Sequence, residues 1–346
     1  MNKLKLPIRT VLIVFLVVFV MLLTGGGCGA YFLFSPNFMP EKACFIYIYP
    51  EKDFQWLCRQ LEDSAHCRNM KSFRQIAGIL KYPEHMKTGR YTIHPKMNNY
   101  DLLNNLRRGH QELVKVTFNN IRLKEELADR LAAQLMADSE DLTALLDDDA
   151  CCDSMGFTPR TIQAMFIPNT YEIYWNISAE KLIQRMKREY DSFWTETRRD
   201  KAAKIGISPV EVATLASIVE EESAVADEYP VIAGLYINRL HRGIPLQADP
   251  TVKYAVGDFT LSRILYEHLN VDSPYNTYMY GGLPPGPIRI PSITSMDAVL
   301  NYRKHNYLYM CAKEDFSGRH NFAVTLSEHN RNANRYRAEL NRLGIR

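Results

Sequence analysis

The sequence has no Cys-x-x-Cys pair, although it carries seven cysteines at positions 28, 44, 58, 67, 151, 152 and 311. Zinc-ribbon and thioredoxin-type chemistry therefore lack a framework. There is no G-x-S-x-G elbow, no H-E-x-x-H pair, no phosphate loop ending in Gly-Lys-Ser/Thr and no G-x-G-x-x-G following a strand. Those absences disfavour elbow-type serine hydrolases, zincins, P-loop enzymes and dinucleotide oxidoreductases, and they leave no implied metal or cofactor. Charge of one sign is not in excess either. Lys+Arg number 42 against 39 Asp+Glu, a net +3 that is too small for a dedicated nucleic-acid binder. Internal repeats, low-complexity tracts and a long linker are also missing. With 46% hydrophobic and 23% charged residues, the 346-residue chain has an ordinary globular composition with room for two domains.

One long apolar run is present. Residues 11–34 carry no charge and follow Lys3, Lys5 and Arg9. About two dozen such residues suit the ~20 that span a bilayer, and the cationic start orients the remainder outside the cytoplasm. A cleaved signal peptide is the alternative. Lipid attachment at Cys28 fits less well, because Gly25 stands where an apolar residue is wanted. Gly25-x-x-x-Gly29 has the spacing of membrane helix pairs but arises by chance too often to specify an oligomer. In an oxidising compartment Cys44, Cys58 and Cys67 lie close enough for one disulfide, and free buried thiols are the competing reading.

Beyond the run, periodicity alternates between strand and helix, so the expected fold class is α+β. Residues 44–49 read as a buried strand and 53–61 as a helix bearing Phe54, Leu57, Cys58 and Leu61. A short strand at 90–93 follows, then a helix capped by Asn98 or Asn99 and stopped at Gly109, then a strand at 113–118. Helices are expected over 124–135 and from Asp138 or Ser139, and an acidic loop over 147–153. The pattern changes near residues 118–120, which suggests a small module over 41–119 and a larger domain over 120–346, after an N-terminal 1–35 segment. Ser208-Pro209-Val210-Glu211 combines a capping Ser, Pro at the first helical position and Glu at the third, predicting a helix from Pro209 to about Ala226. A second helix is expected over 230–242, and the Pro-, Gly- and Tyr-rich stretch 246–291 reads as ordered loops.

Chemistry concentrates at Glu220-Glu221-Glu222-Ser223, at the end of the apolar helix. An acidic triplet is ordinarily a solvated helix face. At about 100° per residue from Leu215, Glu222 falls near −20°, on the side of Ile218 and Val219, whereas Glu220 falls near 140° and Glu221 near −120°. A carboxyl emerging from an apolar stripe is desolvated and its pKa rises toward the range of a general acid. Glu222 is thus the first candidate and Glu220 the second, with Glu220 and Glu221 expected to stay ionised unless another element covers them. Tyr254, Phe259, Tyr266, Tyr275, Tyr278 and Tyr280 are near one another and could pack on sugar rings, or fill a core. Asn238, Gln247, Asp249 and Asn276 read either as hydroxyl readers or as loop caps. His320 and His329 read as structural histidines.

Six segments occur in an order that resembles the endolytic murein transglycosylases, the YceG-like proteins. They are residues 216–223, Ile237-Asn238-Arg239-Leu240, Leu246-Gln247-Ala248-Asp249-Pro250-Thr251-Val252, Ser273-Pro274-Tyr275-Asn276-Thr277-Tyr278, Gly282-Leu283-Pro284-Pro285-Gly286 and Glu328-His329-Asn330. Thr88-Gly89-Arg90-Tyr91 through Leu106 and Gly109 is similar to a LysM module. Phe166-Ile167-Pro168-Asn169-Thr170-Tyr171 also matches, but Gln163, Ala164 and Asn169 replace the Glu, Gly and Asp more usual in the family.

The resemblance implies a single-pass inner-membrane enzyme that faces the periplasm and cuts nascent peptidoglycan glycan strands internally, beside glycan-polymerising synthases. The reaction it implies is non-hydrolytic: one glutamic acid protonates the oxygen between N-acetylmuramic acid and N-acetylglucosamine, then takes the proton of the C6 hydroxyl as a 1,6-anhydro ring closes. Substrate contacts are expected from Ser223, Asn238, Gln247, Asp249, Thr251, Tyr254, Tyr275, Asn276 and Tyr278. Two other readings stand beside it. A hydrolytic muramidase needs a second carboxylate about 5–9.5 Å away, for which Asp249 and Glu172 are the candidates. A non-catalytic peptidoglycan-binding protein would have no need of the Glu222-Ser223 pair.

Overall fold

A computed structural model describes residues 8–261 and 263–344. Lys3 and Lys5 of the cationic start, and the side chain of Cys28, lie outside what is described. The architecture is mixed α+β: many helices and four small two-stranded sheets. The chain divides into two compact units. The first runs through Val114 and takes back Glu172–Asn176, and the second comprises Lys115–Tyr171 and the chain from Ile177 onward. The sequence reading put the division at 119/120 and did not foresee the return.

The first unit begins with α1 (Ile8–Phe34), whose side chains from Leu12 to Met21 are exposed. Among the described residues no single helix is long and apolar enough to cross a bilayer, and the described apolar helical stretch is Leu12–Met21. Next come β1 (Pro36–Phe38), β2 (Cys44–Ile48), α2 (Phe54–Asp63), α3 (Met70–Ile79), β3 (Gly89–Ile93), β4 (Met97–Asn98) and α4 (Asn99–Arg108). Each helix starts where a side chain satisfies a free backbone N–H: Asp53 accepts from Trp56, Asn69 from Ser72 and Asn98 from Asp101. Strands β2 and β3 pair antiparallel, with Cys44 opposite Ile93 and Ile48 opposite Gly89. Leu57, Leu61, Phe73, Tyr91, Leu102 and Leu106 fill the core beneath them. The segment 172–176 returns because Trp175 packs edge-on against Tyr47 and Tyr49, both at 4.9 Å. Among the described residues no disulfide forms: Cys44, Cys58 and Cys67 are free.

The second unit opens within β5 (Val114–Thr117), which pairs with β6 (Thr170–Ile173). Between them lie α5 (Lys124–Ala132), α6 (Ser139–Asp147) and α7 (Asp149–Met155). Helix α7 corrects the acidic loop expected at 147–153. Asp148 caps it by accepting from the Cys151 N–H, and Gly156 closes it with φ +82°, so the acidic residues serve as a helix start. Then come α8 (Ala179–Phe193), α9 (Glu196–Ile205), α10 (Pro209–Glu222), α11 (Tyr229–His241), α12 (Asp249–Val256), α13 (Ile293–Leu300), β7 (Tyr309–Ala312), β8 (His320–Ala323) and α14 (Leu326–Arg342). Helix α12 interrupts the stretch expected to be all loop.

Helix α10 is the axis of this unit, packed by α9, α11, α12 and α13. Every residue from Val212 to Val219 is buried. Truncating a side chain such as Leu215 or Ile218, both fully enclosed, should cost about 2–5 kcal/mol. The loop before α13 lies along α10. The Ile288 N–H donates to Ser217 Oγ (3.0 Å) and the Ile290 N–H to the Ile121 carbonyl (2.8 Å). Gly286 is required where the same loop passes the backbone at Arg160, because a Cβ there would sit 2.0 Å from the Arg160 carbonyl oxygen. Strands β7 and β8 form an antiparallel pair with Ala312 opposite His320, and α14 packs on it.

Candidate active site

Helix α10 starts where the sequence signals it and stops four residues early. Ser208 Oγ accepts from the Glu211 N–H while the Glu211 carboxylate accepts from the Ser208 N–H. At the other end Ser223 adopts an extended conformation (φ −138°, ψ 134°), which leaves Glu222 as the last helical residue. The three glutamates, set 100° apart on the final turn, then meet different neighbours.

Glu220 and Glu221 are covered by ion pairs. Arg289 bonds Glu221 (2.5 Å) and lies 3.5 Å from Glu220, and Arg122 bonds the other oxygen of Glu221 at 2.9 Å. Glu220 also accepts from the Ser292 N–H and from Ser295 Oγ, both at 2.7 Å. The expectation that these two project away from the packed side of the helix is therefore corrected. Helix α10 is enclosed all round, and the loop carrying Arg289 supplies their cover.

Among the described residues no cation is bonded to Glu222. Its carboxyl accepts a 2.5 Å hydrogen bond from Tyr236 Oη, on α11. Burial pushes its pKa up to about 7; the Tyr236 hydrogen bond pulls it down, Asp249 and Glu221 push it further up, and Arg239 pulls it down. Glu222 lines a cavity of about 400 Å³ with Tyr236, Arg239, Gln247, Asp249 and Tyr278, together with residues of β7, His320 and His329. An adjoining cavity of about 900 Å³ shares Glu222, Asp249, Cys311, Ala312 and His329 and extends to Lys253, Arg263 and Arg337. Among the described residues no group of three or more His, Cys, Asp or Glu side chains could hold a metal ion.

Of the contacts expected from sequence, Gln247, Asp249 and Tyr278 reach the first cavity. Asp249 opens α12 and accepts from Tyr278 Oη at 2.6 Å, and the proximity of Asp249 together with burial raises the Tyr278 phenol well above its usual range. Gln247, held at φ +52°, accepts from Arg239 at 3.1 Å. The other expected contacts line neither cavity. Ser223 is buried, with its hydroxyl shared between the Val225 N–H and Glu228. Asn238 donates to the carbonyls of His305 and Tyr307. Thr251 is fully buried against Thr277. Asn276, also fully buried, ties its loop by donating to the Leu269 and Val271 carbonyls. Tyr254 and Tyr275 pack on each other with ring centres 4.7 Å apart. Glu172 is exposed on β6 and lines neither cavity. Gln163, at one of the substituted positions, is buried and donates to the Arg122 carbonyl, which steadies the arginine that pairs with Glu221.

Sequence reasoning missed Tyr236, Arg239 and Glu228, and it read His320 as a structural histidine, which its hydrogen bond to Glu228 fits. A signal for two of them was present: Tyr236 and Arg239 are three residues apart and so share one face of α11. The His320 pairing with Glu228, 92 residues away, left no local trace.

The comparisons with known proteins agree on the family. The YceG-like family profile matches residues 46–335. The chain is 38% identical over 176 residues to the endolytic murein transglycosylase of Bacillus subtilis, covering 51% of this chain and 48% of that protein. With the endolytic murein transglycosylase of Streptococcus pneumoniae R6 the identity is 27% over 354 residues, 91% of this chain and 63% of the other. The chain thus spans less than two thirds of the length of these curated relatives. A crystal structure of a yceG-like protein from Listeria monocytogenes superposes with a TM-score of 0.54 at 30% identity, over 84% of this chain and 99% of that one. With its profile match running from β2 into α14, this chain belongs to the YceG-like family.

Proposed function

We propose that the chain is an endolytic lytic transglycosylase of peptidoglycan, with Glu222 as its acid and base. The observation that carries this reading is the Glu222 carboxyl itself, half-buried on the wall of a cavity, bonded to a phenol in place of a cation, and raised to a pKa of about 7. A group poised there is protonated in a useful fraction near neutral pH and can both give and take a proton. Protonated Glu222 donates to the glycosidic oxygen between N-acetylmuramic acid and N-acetylglucosamine, and the bond from C1 to that oxygen breaks. The muramic acid C6 oxygen closes on C1, and its proton passes to the Glu222 carboxylate, which restores the acid. No water is consumed, so one carboxyl suffices. The names of the Bacillus and Streptococcus relatives support the substrate class.

A hydrolytic muramidase is the second reading, favoured by Asp249 sharing the cavity with Glu222. The mass of the product released from sacculi decides between them. An anhydro end is one water lighter than a reducing end, and a product carrying reducing ends sinks the transglycosylase assignment. Release of neither product leaves the binding-protein reading.

The proposal extends to placement. Residues 1–35 form a single-pass inner-membrane anchor with the body in the periplasm, and 41–119 a LysM-like module that presents nascent strands, near the synthases that polymerise them. Its support is the uncharged run behind a cationic start and a first unit with its own core. An alkaline phosphatase fusion after Arg346 should be active, and a cytoplasmic reporter there should be silent. Deleting 41–119 should lower activity on long strands.

A further inference from the structure

His320, on the lining of the first cavity, pairs with the Glu228 carboxylate, and the proposed proton cycle uses neither group. Glu228 is 6% exposed. Its Oε2 lies 2.8 Å from His320 Nδ1 and accepts from Ser223 Oγ at 3.2 Å, while Oε1 accepts from the His320 N–H at 3.0 Å. A carboxylate can only accept, so it holds a hydrogen on Nδ1, and in the neutral tautomer with that hydrogen Nε2 is the ring's lone-pair acceptor. His320 lines the cavity, and Nε2 has no protein partner among the described residues. His329, on the same wall, has a buried Nδ1 that is likewise without a partner. The chain also fastens the backbone: Ser223, the residue after Glu222, is tied through Glu228 to β8, so the wall and the end of α10 are held in register.

We infer that His320 Nε2 is a hydrogen-bond acceptor for a sugar hydroxyl or acetamido N–H of the bound glycan, and that Glu228 is a positioning residue that fixes the tautomer. Its contribution is to binding. This rests on the reading of the cavity as a glycan site. A polar wall with a fixed acceptor selects for a substrate donor at that spot, and a ligand lacking one leaves the acceptor unpaired at a cost.

The test measures binding by the full chain carrying Glu222→Gln, with uncrosslinked peptidoglycan tetrasaccharides as the probe in titration calorimetry. Adding His320→Ala should weaken binding about tenfold, the size of one hydrogen bond to a neutral group. His320→Gln, whose amide oxygen can reach the Nε2 position, should restore part of the loss, and His320→Asn should not. Glu228→Gln should weaken binding similarly and move the His320 proton from Nδ1 to Nε2 in ¹⁵N spectra, a change that a purely structural role would not produce. With Glu222 intact, His320→Ala should raise KM and leave kcat within about twofold. Unchanged affinity in His320→Ala, or a fall in kcat at constant KM, overturns the assignment. Failure of the glycan reading shows separately, as absence of any binding by the Glu222→Gln parent.

Discussion

The two sides of the last turn of α10 put the same residue type to opposite uses. On one side Arg289 and Arg122 clamp Glu220 and Glu221, and Ser292 and Ser295 donate to Glu220. On the other side Glu222 meets a phenol, a neighbouring carboxylate and a cavity. The first arrangement joins the 289–295 segment to the helix and fixes its end. The second withdraws a carboxyl from water without a bonded cation, and its pKa rises to about 7. Carboxylates one and two residues apart thus become structural or reactive according to what the neighbouring loop and helix bring to them.

The largest effect that can break this comparison is on turnover. Glu222→Gln should lose 10²–10⁴-fold in release of anhydro-ended product from sacculi while keeping its circular dichroism spectrum and a cooperative melting transition no lower than the parent's. Glu220→Gln should stay within about tenfold of the parent in the same assay. Equal losses in the two variants would erase the distinction.

On the structural side the expected effect is in stability. Arg289→Met leaves two partly buried glutamates beside each other with Arg122 as their remaining cation, and urea unfolding should show a loss of about 2–3 kcal/mol. A loss below about 1 kcal/mol would mean that the pairs contribute no more than surface ones do.

A smaller shift sharpens the chemical side. An acid that must be protonated loses activity as pH rises through about 7, the value burial gives Glu222. The Tyr236 hydrogen bond lowers that pKa, so Tyr236→Phe should move the alkaline limb of the kcat profile to higher pH. Movement toward acid would contradict the assigned cause.

The smallest effect is thermodynamic. The folded pKa of Glu222 lies above its unfolded value, so its contribution to stability is present below about 4.5 and is lost as pH rises toward 7. Removing the titrating group in Glu222→Gln should therefore raise the melting temperature at pH 8, by about 2–4 °C relative to the parent, with little change at pH 4.

Much of the scaffold was legible in the sequence because its signals are local. Capping by Ser208, Asn98 and Asp138, the stops at Gly109 and Gly243, and the apolar run before Glu222 each act within one or two turns. The acidic stretch 147–153 misled because Asp and Glu serve both loops and helix starts, and only the geometry of Asp148 distinguishes them. Choosing Glu222 by helical phase reached a residue that lines the cavity, but the phase was not the cause, since α10 is enclosed on every side. Two of the four expected hydroxyl readers, Asn238 and Asn276, tie backbone carbonyls instead, because an Asn that satisfies the backbone has the same composition as one that reads a ligand.

By itself, then, the sequence determined where its capped helices begin, which helix is apolar, and that a carboxyl triplet lies near the end of it. Those features follow from side chains acting on their own backbone and from the uniform tendency of apolar surface to leave water. Which glutamate is left without a cation was decided only in three dimensions. Arg289, Tyr236 and Asp249 are 67, 14 and 27 residues from Glu222 in sequence, and a pKa depends on the distance and burial of charges, which chain order does not encode.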